Sequence, residues 1–380
     1  MPSRTKRTPQ VGRWRMQSPN VSPVDGKDSK QNGSTRHKRL TNGLADMNIL
    51  IIESTSKTKP LAEDYSDTSI IHCRNSLILK NELNADLLDG EYGIPKAMDK
   101  NYDVIICCYA SPYMPHNEYR KVLDNNPKAR LIWLVNDHDL EDNQLLRYAV
   151  TERGRSYDMI CNNPRNGYRH WILSKNIAEK KLNDFISNWH TCNLNCLIFR
   201  NDTQIKKDLI QTDRSGTIYY GTYRKHRCDD FKDYLHQGIT ISASIKHWTK
   251  FKSLECTSNC IKPLKWEVGM EGLRNYKYSL YIEDKHTHEN YAFMANRFYE
   301  ALMCDVVCLF APNTMKTIQK SGYKINENAI LPENCYKQEL NEYINSLNYS
   351  ELVEQQKKLH NDIILEKRNT IKGIIDFLNK

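Results

Sequence analysis

Residues 278–310 read YSLYIEDKHTHENYAFMANRFYEALMCDVVCLF, and this stretch decides the fold class. Its apolar run Ser279–Ile282 predicts a short buried strand, and a polar loop follows over Lys285–Asn290. Between Glu289 and Cys304 apolar residues recur at helical spacing, and Val306–Phe310 predicts a second buried strand. A strand, a crossover helix and another strand make the repeating unit of a parallel α/β sheet.

The preceding segments repeat this alternation. Continuous apolar runs at Asn48–Ile52, Tyr102–Tyr109 and Leu131–Val135 predict strands that are covered on both faces. His116–Leu123 and Leu140–Tyr148 predict intervening helices. Further predicted elements are strands at Ile70–His72, Leu77–Leu79, Asp158–Cys161 and Thr217–Tyr220, and helices over Asn176–Trp189, up to Leu235, and over Ser350–Leu378. The sequence therefore predicts an α/β protein with doubly wound parallel sheets.

The length of 380 residues predicts two domains. Polarity rises over Arg200–Ser215, so the linker is expected there. We expect a disordered tail over 1–46, domains over 47–205 and 206–349, and a final helix over 350–380 that packs back on the first domain. No apolar run approaches the roughly 20 residues of a membrane span, and none near the start resembles a signal peptide.

The twelve cysteines lie scattered through apolar runs, which is typical of buried, reduced thiols in an intracellular protein. This predicts a cytoplasmic location. A zinc site is a weaker alternative, formed by His190, Cys192 and Cys196 with Cys256 and Cys260. Three residues separate the cysteines of each pair instead of the usual two, and nothing completes the pattern.

The net charge of +9 is concentrated at the start of the chain. Residues 1–46 hold ten Lys or Arg against three Asp, so this segment carries +7 of the total. Its Ser, Pro, Asn and Gly content and its lack of apolar periodicity predict a disordered basic tail. Such a tail suits contact with a polyanion such as nucleic acid, and it is equally a solvated leader or a segment upstream of a start at Met47.

Asp137 follows the predicted strand Leu131–Val135 at the edge of the sheet where parallel α/β folds bind ligands. A carboxylate there can accept a proton from a bound hydroxyl group. Asp is also a favoured helix N-cap, and the predicted helix Leu140–Tyr148 begins just beyond it, so both interpretations stay open.

The second domain has a matching group of polar residues. Gly221 ends the strand Thr217–Tyr220 and lets backbone amides approach a ligand closely. The basic run Arg224–Arg227 precedes the next helix, where anions bind favourably. Arg297 is a second basic element, and two arginines on successive elements can clamp one pyrophosphate. Alternatively, Arg297 and Glu300 form an ordinary surface ion pair on the helix.

Several segments, in the same order and at similar spacing, resemble the DNA β-glucosyltransferase family of T-even bacteriophages. They are Tyr102–Tyr109, Leu131–Leu140, Gly221–Arg224, Asn296–Ala301 and Leu359–Ile363. The resemblance covers most of residues 47–380 at low identity. It implies the GT-B fold, in which two Rossmann-like doubly wound domains face a cleft and the C-terminal helix returns to the first domain. In this family the C-terminal domain binds UDP-glucose, and the N-terminal domain and cleft hold flipped-out modified DNA.

The resemblance also implies roles for individual residues. Asp137 matches the catalytic base that takes the proton from the hydroxymethyl group of the base. Arg297 matches a phosphate ligand, and Glu300 matches the carboxylate that grips the two ribose hydroxyls. Asp284 stands where the family has an acidic loop residue, and it is our predicted ligand for Mg²⁺ or Mn²⁺. This loop is longer here than in the family.

The diphosphate loop of the family matches Gly221, Thr222 and Arg224. The family has a further arginine four residues beyond Arg224. That offset holds Cys228 in this chain, and Arg227 comes one residue earlier. We carry the role over to Arg227.

The implied reaction is an inverting transfer of glucose from UDP-glucose to 5-hydroxymethylcytosine or 5-hydroxymethyluracil in double-stranded DNA. The expected enzyme is a monomer in the cytoplasm, that of the host cell if the protein is viral. Arginines stabilise the charge that the diphosphate gathers, and the target base must leave the duplex. A GT-B glycosyltransferase with a non-DNA acceptor and a non-catalytic DNA-binding protein on the same fold are the alternatives.

Overall fold

The computed structural model describes residues 47–54, 71–88, 94–110, 116–135, 144–162, 186–199, 213–254, 258–264, 271–284, 288, 293–333 and 337–380. The predicted basic tail, most of the predicted linker and Asp137 lie outside these residues. The tail, the domain boundaries and the catalytic base therefore stay predictions.

The first sheet has six parallel strands in the order β2-β1-β3-β4-β5-β6. The strands are β1 Ile49–Ser54, β2 Asp86–Leu88, β3 Val104–Ala110, β4 Arg130–Val135, β5 Tyr157–Cys161 and β6 Ile186–Thr191. The associated helices are α1 Ile71–Leu83, α2 Ile94–Met98, α3 His116–Asn125 and α4 Gln144–Thr151. Alternate strand residues point to opposite faces, so each face packs on its own helices.

The two faces of the first sheet belong to different cores. Leu50, Ile105 and Trp133 pack with residues of α3 and α4. Ile51 and Ile106 face the other way, into a larger core that also contains residues of the second sheet. One apolar core therefore runs continuously from the first sheet into the second.

The second sheet has five parallel strands in the order β11-β10-β7-β8-β9. The strands are β7 Thr217–Tyr220, β8 Ile239–Ser242, β9 Asn259–Ile261, β10 Tyr278–Tyr281 and β11 Val307–Phe310. Its helices are α5 Cys228–Tyr234, α6 Ile245–Lys252, α7 Glu271–Arg274, α8 Asn296–Met303, α9 Met315–Ser321 and α10 Lys337–Ser346. Counted within this sheet, the order is the 3-2-1-4-5 of a Rossmann fold, and its topology reverses between β7 and β10.

The helix α11, Tyr349–Leu378, joins the two sheets. Near its beginning the Gln356 side chain bonds the backbone of β11 and its neighbour, accepting from Cys308 N at 3.1 Å and donating to Val306 O at 2.8 Å. Near its end Phe377 stacks on His190 of β6, and Arg130 of β4 donates to Phe377 O at 2.9 Å. The prediction that the C-terminal helix returns to the first domain is confirmed.

Three secondary-structure predictions were wrong. Ile70–His72 and Leu77–Leu79 were predicted as strands, but residues 71–83 form the helix α1. Residues 75–79 are all buried, so this helix lacks the amphipathic period that would have revealed it. The end of the predicted helix Asn176–Trp189 is instead part of β6, an edge strand whose mostly polar side chains hide its strand character.

The predicted helix from Glu289 to Cys304 is described from residue 293 onward, and in that part the helix α8 begins only at Asn296. Tyr281 Oη accepts a hydrogen bond from Ala295 N at 2.7 Å, and Met294 O accepts one from Asn195 at 2.9 Å. These bonds hold Ala295 in an extended conformation, so the apolar residue Met294 is buried ahead of the helix instead of within it.

The cysteine predictions can be checked within the described part of the chain. Seven free cysteines are buried there, and Cys228 and Cys260 are partly buried. The described residues include no group of three or more His, Cys, Asp or Glu that could hold a metal ion. Cys256 of the zinc alternative lies outside these residues, so that alternative stays untested. None of the helices within these ranges combines the length and hydrophobicity that a membrane span requires.

Candidate functional site

The candidate site lies at the carboxyl ends of β7 and β10, the two adjacent strands between which the order of the second sheet reverses. Ligands of doubly wound folds bind at such a point because the loops leaving the two strands diverge and open a crevice. Gly221 directly follows β7, and Glu283 and Asp284 closely follow β10. The site therefore combines residues that are far apart in sequence but adjacent in the sheet.

Gly221 gives Arg297 the space that it occupies. A Cβ atom at Gly221 would lie 2.6 Å from Arg297 Nη1 and 3.1 Å from Tyr219 Oη. The backbone φ of Gly221 is +156°. Arg297 lies in the first turn of α8, donates from Nη1 to Tyr220 O at 3.4 Å and places its guanidinium 5.9 Å from the centre of the Tyr219 ring. The glycine thus allows a guanidinium to rest on the end of β7.

Glu283 joins the two buried arginines of the site. One of its carboxylate oxygens accepts from Arg297 Nη2, and the other lies 2.7 Å from Arg227 Nη2. The Glu283 side chain is only 4% exposed, that of Arg227 8% and that of Arg297 18%. Burial disfavours the charge on each arginine, but Glu283 acts together with Tyr219, and at Arg227 also with Asp284, so the pKa of both arginines lies above the usual value. Both guanidinium groups therefore stay charged inside the protein.

Asp284 contacts Arg227 from the more open side of the site. Arg227 Nε donates to one oxygen of Asp284 at 2.9 Å and Nη2 to the other at 3.3 Å, a bidentate pair. Burial alone would raise the pKa of Asp284, but the hydrogen bonds and charge of Arg227 hold it below the usual value. Both carboxylate oxygens are thus engaged by an arginine, and the described residues supply no metal-binding group around them. The assignment of Asp284 as a metal ligand stays a prediction.

Tyr220 connects Arg297 with Glu300. Its hydroxyl donates to Arg297 O at 3.0 Å and to Glu300 Oε2 at 3.3 Å. Glu300 is 3% exposed, and Arg297 pairs with Glu283 instead of Glu300. The interpretation of Arg297 and Glu300 as a surface ion pair was therefore wrong, while the role of Glu300 toward a ribose stays a prediction.

The loop between β7 and α5 presents a further cation to solvent. Thr222 and Arg224 are exposed, and Arg227 closes the loop in a short 3₁₀ turn, Lys225–Arg227, ahead of α5. The loop therefore brings Gly221 and the buried Arg227 into the site and leaves Thr222 and Arg224 accessible to a ligand.

His288 is a buried neighbour of the arginine cluster. It is 1% exposed, and its Nδ1 lies 2.7 Å from Thr317 Oγ1 of α9. Burial lowers the pKa of His288 to about 4 against the opposing pull of Glu283, so the imidazole is neutral at neutral pH. It therefore adds no positive charge beside the arginines.

The structure brings together four of the predicted residues, Gly221, Arg227, Arg297 and Asp284. Glu300 lies next to this group, because its carboxylate accepts a hydrogen bond from Tyr220. Sequence reasoning missed Glu283 as a site residue, although Glu283 directly follows the predicted strand Ser279–Ile282. The available signal was an acidic residue directly after a buried strand, the same signal that had singled out Asp137.

No family model matches the sequence, and no curated protein sequence matches it. Among solved structures, T4 phage BGT in complex with UDP and Mn²⁺ is similar with a TM-score of 0.59 and 16% identity, over 87% of this chain and 99% of the other. A mutant of T4 phage BGT in complex with UDP-glucose is similar with a TM-score of 0.56 and 18% identity, over 86% and 97% of the two chains. With its two doubly wound parallel sheets and returning helix, the chain has the two-domain, Rossmann-like GT-B fold.

Proposed function

We propose that this protein is a glycosyltransferase that moves glucose from UDP-glucose to the hydroxymethyl group of a modified base in DNA. The observation that carries the donor half of the proposal is the convergence of Arg227 and Arg297 on one point beside Gly221. Two charged guanidinium groups at the carboxyl edge of a Rossmann-like sheet suit a diphosphate, because each can bind phosphate oxygens through two N–H groups.

The arrangement also suits the chemistry of transfer. As the bond between the sugar and UDP breaks, the diphosphate gathers negative charge, and fixed cations stabilise that charge without having to reorganise. Arg224 is exposed at the rim and can add a third positive charge to a bound diphosphate. The Glu300 carboxylate accepts a hydrogen bond from Tyr220, the last residue of β7. Glu300 is our proposed partner for the ribose hydroxyls.

The acceptor half of the proposal rests on the sequence resemblance and on the fold shared with T4 phage BGT. Asp137 is the proposed base that takes the proton from the attacking hydroxymethyl group. Transfer without a covalent intermediate inverts the configuration of the sugar. The base must first leave the duplex, and the basic segment 1–46 suits contact with the DNA backbone.

A divalent metal is a separate part of the proposal, since one of the similar structures holds Mn²⁺. Asp284 is the residue that would hold it, and the metal would supply further positive charge to the leaving diphosphate. In the structure both Asp284 oxygens contact Arg227, and the described residues include no group of three or more His, Cys, Asp or Glu, so they do not form a complete metal site here.

The deciding experiment incubates the protein with UDP-glucose and DNA that contains 5-hydroxymethylcytosine, then analyses the nucleosides by mass spectrometry. We expect a mass gain of one hexose on the modified base. No gain with retained UDP-glucose binding would redirect the search to 5-hydroxymethyluracil DNA and then to non-DNA acceptors. No gain and no nucleotide binding would favour a DNA-binding protein that lacks transferase activity.

A further inference from the structure

The two arginines of the site repel each other, and one buried carboxylate holds them together. Arg227 comes from the loop after β7, while Arg297 comes from α8. Neither side chain is held in place by its own element alone. Both meet at Glu283, which offers one oxygen to each.

Glu283 is well placed for this task. It is 3% exposed and lies just beyond the end of β10, so its backbone follows a strand that is paired on both sides. A carboxylate that is buried in this way cannot turn toward solvent. The arginines also have fixed second contacts, Arg227 with Tyr219 Oη at 3.3 Å and Arg297 with Tyr220 O at 3.4 Å.

Asp284 differs from its neighbour. Its carboxylate pairs with Arg227 and, among the described residues, with no second arginine, and its side chain is 22% exposed. A diphosphate approaching from the open side can replace the Asp284 contact with one of its own. The Glu283 side chain is less exposed than either arginine, so its contacts can persist while more exposed N–H groups bind the ligand.

We propose that Glu283 is a positioning residue that fixes Arg227 and Arg297 at the spacing which the diphosphate of the sugar donor requires. The inference rests on the proposed function, because it assumes that the two arginines bind the donor. Without Glu283 the positive charges of Arg227 and Arg297 repel each other and the side chains separate. Bringing them together again costs free energy, so diphosphate binding becomes weaker.

The test compares binding of UDP and of uridine by titration calorimetry, using wild-type protein and Glu283→Gln. Uridine lacks the phosphates, so it reports on the rest of the site. We expect the Kd for UDP to rise at least tenfold in the variant while the Kd for uridine stays within about twofold. A residue with only a structural role would alter both ligands alike.

Asp158→Asn is the matched control. Asp158 is also a buried carboxylate in an arginine pair, 2.5 Å from Arg130 in the first sheet, and it lies outside the site. We expect it to lower the Tm and to leave both Kd values unchanged. If Glu283→Gln does not fold, Glu283→Asp takes its place. It keeps the charge but is too short to bridge both arginines, and the same selective loss of UDP binding is expected.

UDP binding as tight as in the wild type, or tighter, in a folded Glu283 variant would overturn the inference. Tighter binding would identify Glu283 as a competitor of the phosphates. Failure of the wild-type protein to bind UDP would overturn the donor proposal, and this inference with it. A normal wild type with an unaffected variant would overturn the positioning role alone.

Discussion

At the scale of single residues, the site depends on where one guanidinium lies. Arg297 rests on the end of β7 only because Gly221 has no side chain, and it points toward Arg227 because Glu283 binds both. The sequence predicted that Arg297 helps to bind a pyrophosphate, and this role stays a prediction. The sequence did not reveal that Glu283 bridges Arg297 and Arg227. Glu283 follows β10 and Arg227 follows β7, so the two residues meet only because these strands pair.

Replacing Gly221 by Ala should weaken UDP binding several-fold, because the new Cβ displaces Arg297 from a position only 2.6 Å away. Calorimetry with UDP measures this loss. Gly154→Ala serves as the control, since Gly154 has φ +62° with open space around it and lies in the first domain. There we expect strain to lower the stability by about 1 kcal/mol while UDP affinity stays unchanged. Normal UDP affinity in Gly221→Ala would contradict the proposed use of Arg297.

Replacing Arg297 by Lys should raise the Kd for UDP at least tenfold even though the charge is kept. A lysine has one ammonium group and cannot contact Tyr220 O, Glu283 and a phosphate with the fixed fork of a guanidinium. Fluorescence or calorimetric titration with UDP measures the change, with uridine as the reference ligand. An unchanged Kd would mean that Arg297 acts only as a diffuse positive charge.

His288 should make stability depend on pH. Its pKa is about 4 in the folded protein, below the ordinary value of 6.5, so the unfolded chain binds the proton more readily. Stability should therefore be fully present above pH 6.5 and fall as the pH drops toward 4, by on the order of 3 kcal/mol.

Urea unfolding between pH 4 and 7 measures the contribution of His288, with His288→Asn as the comparison. Asn keeps a polar group near Thr317 but does not titrate, so the difference in slope between the two proteins isolates His288 from the acidic residues. Parallel stability curves would show that the imidazole is not buried as described.

At the scale of elements, the sequence pattern was most informative where apolar runs form strands covered on both faces. Predictions for Tyr102–Tyr109, Leu131–Val135 and Thr217–Tyr220 agree closely with β3, β4 and β7. It was misleading for α1, because a helix buried on most sides has no polar stripe, and for β6, because a polar edge strand has no apolar run. The structure of α1 and of β6 depends on the elements that pack beside them, and the local sequence does not reveal which elements these are.

Gln356→Ala should destabilise the protein by about 1–3 kcal/mol. The Gln356 side chain accepts a hydrogen bond from Cys308 N and donates one to Val306 O. Its removal leaves these two backbone groups without this partner. Thermal or urea unfolding measures the loss. Gln355→Ala on the same helix is the control, because among the described residues the Gln355 side chain bonds Glu351, which is exposed one turn earlier on α11. Equal stability of the two variants would contradict this account.

At the scale of the whole molecule, the two sheets share one apolar core and one helix. Asn193, ahead of a 3₁₀ turn in the first domain, donates to Tyr299 Oη at 2.8 Å and to Glu366 of α11 at 2.9 Å. Tyr323 donates to the other oxygen of Glu366. The domains are therefore joined by a buried polar network as well as by apolar packing.

This joint core predicts a single cooperative unfolding transition for residues 47–380. Calorimetry should give one peak, and tryptophan fluorescence should report the same midpoint as far-UV circular dichroism. Binding of UDP should raise the midpoint of this single transition without splitting it in two. Two resolved transitions, with only one displaced by UDP, would show that the domains unfold independently.

The helix α11 also bears on the synthesis of this chain. Ile371, Ile374 and Ile375 belong to the core that covers one face of the first sheet, yet the ribosome makes them long after that sheet. Until then α1 packs on this apolar face, but the part that α11 covers in the folded protein stays exposed in the nascent chain, where a chaperone can bind it. We therefore expect that the first domain completes its folding only when the final turns of α11 have been made. A chain that terminates before them should be prone to aggregation.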